Sequence, residues 1–301
     1  MEDIERIRER LENIRSVEPI IGSLRTIAAG GWRLAVRRLE ACEEYAENLA
    51  EILGVVLPQV PRNDLASGFV TLEPVPPRKP AMLVIASERG LCGSFNDIVL
   101  EGAERLIAEQ QLESELVQII TLGSRAEAHF LRHGRPLLLA QPLPVTRVPS
   151  FEMVRHLAVT LQGLLSSDVV DAIDVVYSPY RAGITLPPVS RRWLPIDASA
   201  LPRGSLRWPS PIIEGDKAAL ARRALEEWAF VHLFRLVIES SASEQNARFR
   251  AMDAATSNLR RLIDELTLGY HVARQHAITM EMLDLVAGAG MLRGPRGRQR
   301  R

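Results

Sequence analysis

The chain has 301 residues, enough for one large domain or for a small globular domain joined to an extended element. Its 37 basic residues balance its 37 acidic residues, so no global field would attract nucleic acid or an anionic membrane to the whole molecule. The two cysteines, Cys42 and Cys92, lie far apart and outside any CxxC motif, which argues against a disulfide framework or structural zinc and favours a reducing compartment.

The first residues alternate charged with apolar side chains and lack the apolar core of a secretion signal, so we do not expect export. The chain contains no run of about 18 apolar residues, and we therefore expect no direct insertion into a membrane.

Residues 1–57 are predicted to form one long helix, because apolar or small residues recur at alternating steps of three and four. This seam consists of Val17, Ile21, Leu24, Ala28, Gly31, Ala35, Leu39, Cys42, Ala46, Leu49, Leu53 and Val56. Pro19 is expected to bend the helix. Gly30 and Gly31 should permit the close approach of another backbone.

Residues 58–80 contain six prolines and are predicted to be an irregular linker. Residues 81–200 then alternate short apolar runs with helical patterns, which predicts an α/β domain with a mainly parallel sheet. The predicted strands cover 81–86, 116–122, 137–140 and 173–178, with an extended stretch at 184–196, and the predicted helices cover 95–111, 124–133 and 150–165.

A second linker is predicted at 201–213, followed by a long helix at 214–292 and a basic tail at 293–301. The seam of this helix turns polar in its middle, at Ser241, Gln245 and Arg248, so we expect a partner outside the chain to pack there. Two long terminal helices bury their seams most economically against each other. The predicted fold is therefore an α/β domain inserted into a long antiparallel coiled coil formed by the N- and C-terminal helices.

Two segments carry a family resemblance. Residues 243–258 read SEQNARFRAMDAATSN, and residues 87–96 read SERGLCGSFN. Both segments resemble the gamma subunits of F-type ATP synthases, and the resemblance continues through Tyr270, Arg274, Gln275, Thr279 and Glu281. The first helix departs from the family pattern at residues 16–21, and Gly31 replaces a usual lysine, so the chain resembles a divergent member or a specialised second copy.

The resemblance implies a central stalk that couples ion-driven rotation to ATP chemistry in a surrounding ring. It implies no catalytic, cofactor-binding or metal-binding residues on this chain. The implied partners are the alpha and beta subunits of the catalytic hexamer, an epsilon-type subunit and the membrane rotor ring of c subunits, with no nucleic acid. The implied location is the cytoplasmic face of a bacterial inner membrane, as a peripheral part of the complex.

The resemblance also implies two contact regions. We expect the catalytic ring to contact Arg33, Arg37, Arg38, Arg274, Gln275, Thr279 and Glu281. We expect the base of the rotor to contact the turn formed by Gly90, Leu91, Cys92, Gly93 and Asn96.

Other constellations carry weaker signals. His129 and His133 are spaced i, i+4 like a metal pair, but no third ligand is evident, and a solvated helix face is the favoured interpretation. Asp168, Asp171 and Asp174 flank a strand entry, where aspartates commonly cap and turn. Cys92 is interpreted as a small buried cysteine. The basic tail could contact an acidic surface or stay disordered.

Two other functions remain open from the residues alone. An enzyme built on the α/β domain, with the helices as a dimerisation arm, predicts substrate or nucleotide binding by the chain. A coiled-coil scaffold predicts stable self-association. Neither explains the order of polar residues in the last helix.

Overall fold

The computed structural model describes residues 2–61, 70–71, 76–109, 117–199, 201 and 212–292. The described part of the chain begins and ends with a long helix: α1 spans Glu2–Val56 and α5 spans Lys217–Leu292. The predicted pair of terminal helices is confirmed, and α1 runs unbroken through Pro19. A single 3₁₀ turn, Leu57–Gln59, follows α1. The basic tail, most of both linkers and the predicted element ends at 110–111 and 116 lie outside the described residues.

The middle of the chain forms the predicted α/β layer. Its strands are β1 Val70–Thr71, β2 Pro80–Ile85, β3 Gln118–Leu122, β4 Leu137–Gln141, β5 Ala172–Tyr177, β6 Tyr180–Arg181, β7 Ile184–Thr185, β8 Val189–Leu194 and β9 Ile196–Asp197. Its helices are α2 Phe95–Glu109, α3 Ser124–Arg132 and α4 Phe151–Ser166.

The main sheet has the order β4-β3-β2-β5-β8. Four strands are parallel and β8 pairs antiparallel with β5 at one edge, so the expectation of a mainly parallel sheet is confirmed. Two residues of the predicted irregular linker form β1, which pairs with β9 outside this sheet.

Alternate residues of the central strands bury on opposite faces of the sheet, as a doubly covered layer requires. Met82 and Val84 pack with α2 and α3, whereas Leu83 and Ile85 pack with α4 and the long helices. The apolar run of β2 and the mostly apolar sequence of β5 follow from this, since every side chain of both strands is buried, including Asp174 of β5.

Contacts group the chain into two compact units: residues 25–251 in one, and residues 1–24 with 252–301 in the other. The long helices pair antiparallel within each. In the larger unit, Arg235 forms an ion pair with Glu43 at 3.2 Å, and Trp32 packs its ring 5.8 Å from that of Phe249. In the smaller unit, Arg260 lies 3.5 Å from Glu18.

The polar middle of α5 is buried by this chain, so the expectation of an outside partner at Ser241 and Gln245 was wrong. Both are buried, and the Gln245 side chain lies over Gly31 of α1. Ser243 Oγ lies 3.1 Å from Ser178 Oγ of the α/β layer. The polar groups therefore find partners within the α/β domain and α1, which the helical pattern alone does not reveal.

Candidate functional site

The predicted base-contact turn, residues 87–96, connects β2 to α2. Leu91 and Gly93 both have positive φ angles, 65° and 59°, and this conformation is strained for leucine. The Ser87 N–H donates to the Asn96 Oδ1 at 3.1 Å, and the Asn96 amide donates to the Cys92 Sγ at 3.2 Å. Cys92 is buried, whereas Leu91 is 59 % exposed. The turn thus displays one exposed leucine on an internally bonded base.

Glu88 connects the same turn to the start of α3 and to the loop that follows β4. Its carboxylate accepts hydrogen bonds from the Ser124 hydroxyl at 2.6 Å, the Ser124 N–H at 3.1 Å and the Leu143 N–H at 2.9 Å. Burial acts to raise the pKa of Glu88, but these hydrogen bonds outweigh it and hold the pKa below its ordinary value. The carboxylate is therefore ionised and serves as a structural acceptor.

Helix α5 fixes the turn from the other side through Glu244 and Arg248. The Arg248 guanidinium lies 2.7 Å from the Glu244 carboxylate and donates to the Arg89 carbonyl at 3.1 Å. Each of the two paired side chains is only 11 % exposed. Burial raises the pKa of Glu244, although the Arg248 charge opposes this shift. The two sequence motifs that carry the resemblance are thus in direct contact.

The three arginines predicted on α1 differ in their surroundings. Arg33 and Arg37 are exposed. Arg38 is half-buried and donates to the Pro149 carbonyl at 2.8 Å and to the Val148 carbonyl at 3.4 Å. Arg38 therefore anchors α1 to the loop that precedes α4.

The four contact residues predicted on α5, Arg274, Gln275, Thr279 and Glu281, are all exposed. The Thr279 hydroxyl donates to the Gln275 carbonyl of the helix backbone at 2.9 Å. Large apolar side chains at least 47 % exposed surround them: Leu268, Val272, Ile278, Met280, Met282, Leu283, Leu285 and Val286. The structure thus combines polar contact candidates with an uncovered apolar surface.

The end of α5 extends past the start of α1. Arg260 of α5 lies 3.5 Å from Glu18 of α1 within the smaller unit, and the pairing is antiparallel, so the start of α1 at Glu2 lies roughly level with His276. In the part of the chain that the structure describes, about four turns of α5 beyond that level have no α1 neighbour.

The weaker candidates have structural partners. Asp171 accepts from the Arg78 and Lys79 N–H groups, and Asp168 forms an ion pair with Lys79 at 2.8 Å. Asp174 forms a bidentate pair with Arg192. The interpretation as capping and turn residues is confirmed for Asp168 and Asp171, which precede β5. It was wrong for Asp174, which lies inside β5 and pairs with Arg192 of β8.

The prediction of a buried Cys92 is also confirmed, and burial raises the pKa of its thiol, which disfavours the nucleophilic thiolate. Sequence reasoning missed Glu88 and the Glu244–Arg248 pair as organisers of the turn. It also missed Glu104, which lies beside His129, and the 15 % exposed His129 side chain is not a solvated helix face. Glu244 and Arg248 are spaced i, i+4, but the contacts that give the missed residues their roles, such as Arg248 to Arg89 and Glu104 to His129, join residues far apart in sequence, and no local pattern reports them.

Comparison with known proteins places this geometry in a family. A family model described as ATP synthase matches residues 3–292. The ATP synthase gamma chain of Thermosynechococcus vestitus is 30 % identical over 97 % of this chain and 100 % of that protein. The chain belongs to the ATP synthase gamma chain family. The gamma chain of Chlorobium limicola is likewise 30 % identical, with the same coverage.

Solved structures agree in fold with this gamma chain. A chain of the Euglena gracilis mitochondrial ATP synthase, in a structure of OSCP, F1 and c-ring, superposes with a TM-score of 0.63 at 16 % identity, covering 99 % of both chains. A chain of the Tetrahymena thermophila central stalk and c-ring structure gives 0.56 at 18 % identity, covering 78 % of this chain and 99 % of that one.

The predicted fold is thereby confirmed, and so is the predicted membership of the ATP synthase gamma chain family. Among the described residues, we find no helix long and apolar enough to cross a bilayer.

Proposed function

We propose that this gamma chain is the non-catalytic rotor shaft that couples ion-driven rotation to ATP synthesis or hydrolysis in a ring of alpha and beta subunits. The observation that carries the proposal is the end of α5, where large apolar side chains are exposed along a helix that extends beyond α1. Apolar surface of this extent marks a site that another protein covers. A surrounding ring would cover it on every side.

The polar residues near this end supply contacts of the strength that rotation requires. Arg274, Gln275, Thr279 and Glu281 are exposed. Exposed ion pairs contribute roughly 0.2 to 1 kcal/mol each, so they can form and break in sequence as the shaft turns. Arg33, Arg37 and Arg38 would supply further contacts to the ring, with Arg38 also holding α1 to the α/β domain.

The α/β domain would form the base of the rotor. We assign the contact with an epsilon-type subunit and the c-ring to Gly90, Leu91, Cys92, Gly93 and Asn96. A turn that is held by internal hydrogen bonds and exposes an apolar side chain suits an interface with another subunit. The chain would then sit at the cytoplasmic face of a bacterial inner membrane, as a peripheral subunit without insertion of its own.

The test replaces Arg274 and Gln275 together by alanine in the reconstituted complex. We expect ATP-driven ion pumping to fall, because the contacts of the shaft with the ring are lost. The circular dichroism of the isolated chain should be unchanged, because both side chains are exposed. A double variant of Arg222 and Arg223 to alanine, also exposed on α5, is the matched control and should pump normally. Unchanged pumping in the Arg274 and Gln275 variant would refute their assignment.

Two further measurements separate the rival functions. Nucleotide or substrate binding by the isolated chain would favour an enzyme built on the α/β domain. Stable self-association in the absence of alpha and beta subunits would favour a free-standing coiled-coil scaffold. The rotor-shaft function predicts instead that a hexameric nucleotide-binding ring co-purifies with a tagged chain from its host.

A further inference from the structure

Three metal-ligating side chains converge on the outer face of the α/β domain. His129 and His133 lie one turn apart on α3, and Glu104 approaches them from α2. Their ligand atoms all lie within 4.8 Å of one another. We propose that Glu104, His129 and His133 form a binding site for a divalent transition-metal ion, with Zn²⁺ as the best fit.

The distances suit a tetrahedral ion. With bonds of about 2.0 to 2.1 Å, two ligand atoms around tetrahedral zinc are separated by about 3.3 Å. The His129 Nε2 and the Glu104 Oε1 are 3.3 Å apart. The ligand atom on His133 lies within 4.8 Å of the other two, so a shift of roughly 1.5 Å would bring this atom to the same spacing.

The hydrogen bonding of His133 prepares its free nitrogen for a metal. Its Nδ1 lies 2.8 Å from the His129 carbonyl oxygen. A carbonyl only accepts, so Nδ1 carries the proton and Nε2 keeps its lone pair in the neutral ring. A metal-bound histidine typically donates its second N–H to a backbone carbonyl in this way, which fixes the ring's orientation.

The surrounding charges select the class of ion. Glu101, Arg105 and Arg135 line the same cleft. With Glu104, the cleft therefore holds two carboxylates and two guanidinium groups, and its charges balance. Mg²⁺ and Ca²⁺ depend on several oxygen ligands and would gain little here. Zn²⁺, Ni²⁺ and Cu²⁺ form strong bonds to imidazole and suit the site.

A bound ion would act as a cross-link between α2 and α3. His133 is exposed, so the fourth coordination position faces solvent and would hold water. None of the three ligand residues is among those assigned to the ring and base contacts, and the proposal is therefore independent of the proposed function.

The test titrates the chelator-treated full chain with ZnCl₂ in a calorimeter and, separately, with CoCl₂ while following visible absorption. We expect one ion per chain and the intense visible bands of tetrahedral cobalt. The variants Glu104→Gln, His129→Gln and His133→Gln should each weaken binding at least roughly tenfold, since even the loss of an indirect partner costs about that much.

Two control variants match the chemistry without touching the cluster. Glu101→Gln removes a carboxylate from the same cleft, and His156→Gln removes an exposed histidine on α4. Both should bind as the parent chain does, and Zn²⁺ should raise the unfolding temperature of the parent and the controls only. Binding that survives in the three ligand variants, or no detectable binding by the parent chain, would overturn the proposal.

Discussion

Helix α5 contains two segments that depart from an ordinary amphipathic pattern in opposite directions. The domain-facing segment, residues 240–251, is rich in polar side chains, yet Ser243, Glu244 and Asn246 are buried. The exposed segment, residues 268–286, is rich in large apolar side chains, yet Leu285 is 73 % exposed. Residue type therefore fails to predict burial in both segments. Whether a side chain is buried depends on whether another part of this chain packs against its segment.

The difference assigns separate roles to the two segments. Polar groups in the domain-facing segment are satisfied by this chain, such as Asn246, whose amide donates to the Arg181 carbonyl at 3.4 Å, so changes there should act on the stability of the chain itself. Apolar groups in the exposed segment are uncovered, so changes there should act on assembly. Separate measurements of the unfolding free energy of the chain and of its assembly with the ring can test this division of roles.

The largest effect is expected for Arg248→Ala in the domain-facing segment. This change leaves the Glu244 carboxyl buried without its cation and removes the hydrogen bond to Arg89. We expect the free energy of unfolding to fall by about 3 kcal/mol, as when one partner of a buried pair is lost. Urea denaturation of the purified chain measures it.

Arg250→Ala is the matched control for this variant, because Arg250 lies two residues after Arg248, on roughly the opposite side of the helix, and is exposed. Its unfolding free energy should stay within about 0.5 kcal/mol of the parent value. Equal effects for the two arginines would mean that the Glu244–Arg248 pair does not hold the turn.

The exposed segment should respond in the opposite way to Leu285→Ser. We expect no more than about 0.5 kcal/mol change in unfolding free energy, since the side chain contacts little in the isolated chain. Binding to the alpha and beta ring should weaken by about 1.5 to 3 kcal/mol, the contribution of one buried leucine. Competition of labelled parent and variant chains for the ring measures this, and equal competition would show that Leu285 stays uncovered in the complex.

The sequence predicted the helices and strands well because their signals are local. The seam of α1 and the apolar run of β2 need only neighbouring residues to be recognised, and most of the described strand limits fall within about two residues of those predicted. Ser178, the partner of Ser243, is distant in the chain, and so is Arg89, which binds Arg248. Periodicity identifies a polar seam position but does not say what satisfies it.

Two adjacent glycines of α1, Gly30 and Gly31, test how tightly α1 packs against the domain-facing segment of α5. A Cβ on Gly30 would meet nothing within 4 Å, whereas a Cβ on Gly31 would lie 3.1 Å from the Gln245 Oε1. Gly30→Ala should therefore stabilise the chain by up to about 1 kcal/mol through helix propensity. Gly31→Ala should gain less, since Gln245 must move. Thermal unfolding of both variants measures the difference, and an equal gain would show that Gln245 yields freely.

The smallest effect on stability is expected for Glu88, which holds the turn at residues 87–96 from the side opposite Arg248. Because its folded pKa lies below the ordinary value of 4.5, its contribution to stability is present above that pH and is lost as the pH falls through the folded pKa. The parent chain should therefore lose more unfolding free energy between neutral pH and about pH 4 than Glu88→Gln does, because glutamine has no proton to gain. Glu101→Gln, at an exposed position, should keep the parent's dependence. If Glu88→Gln and the parent chain respond identically to acid, the three hydrogen bonds to the carboxylate do not stabilise its ionised form, and the turn depends on Arg248 alone.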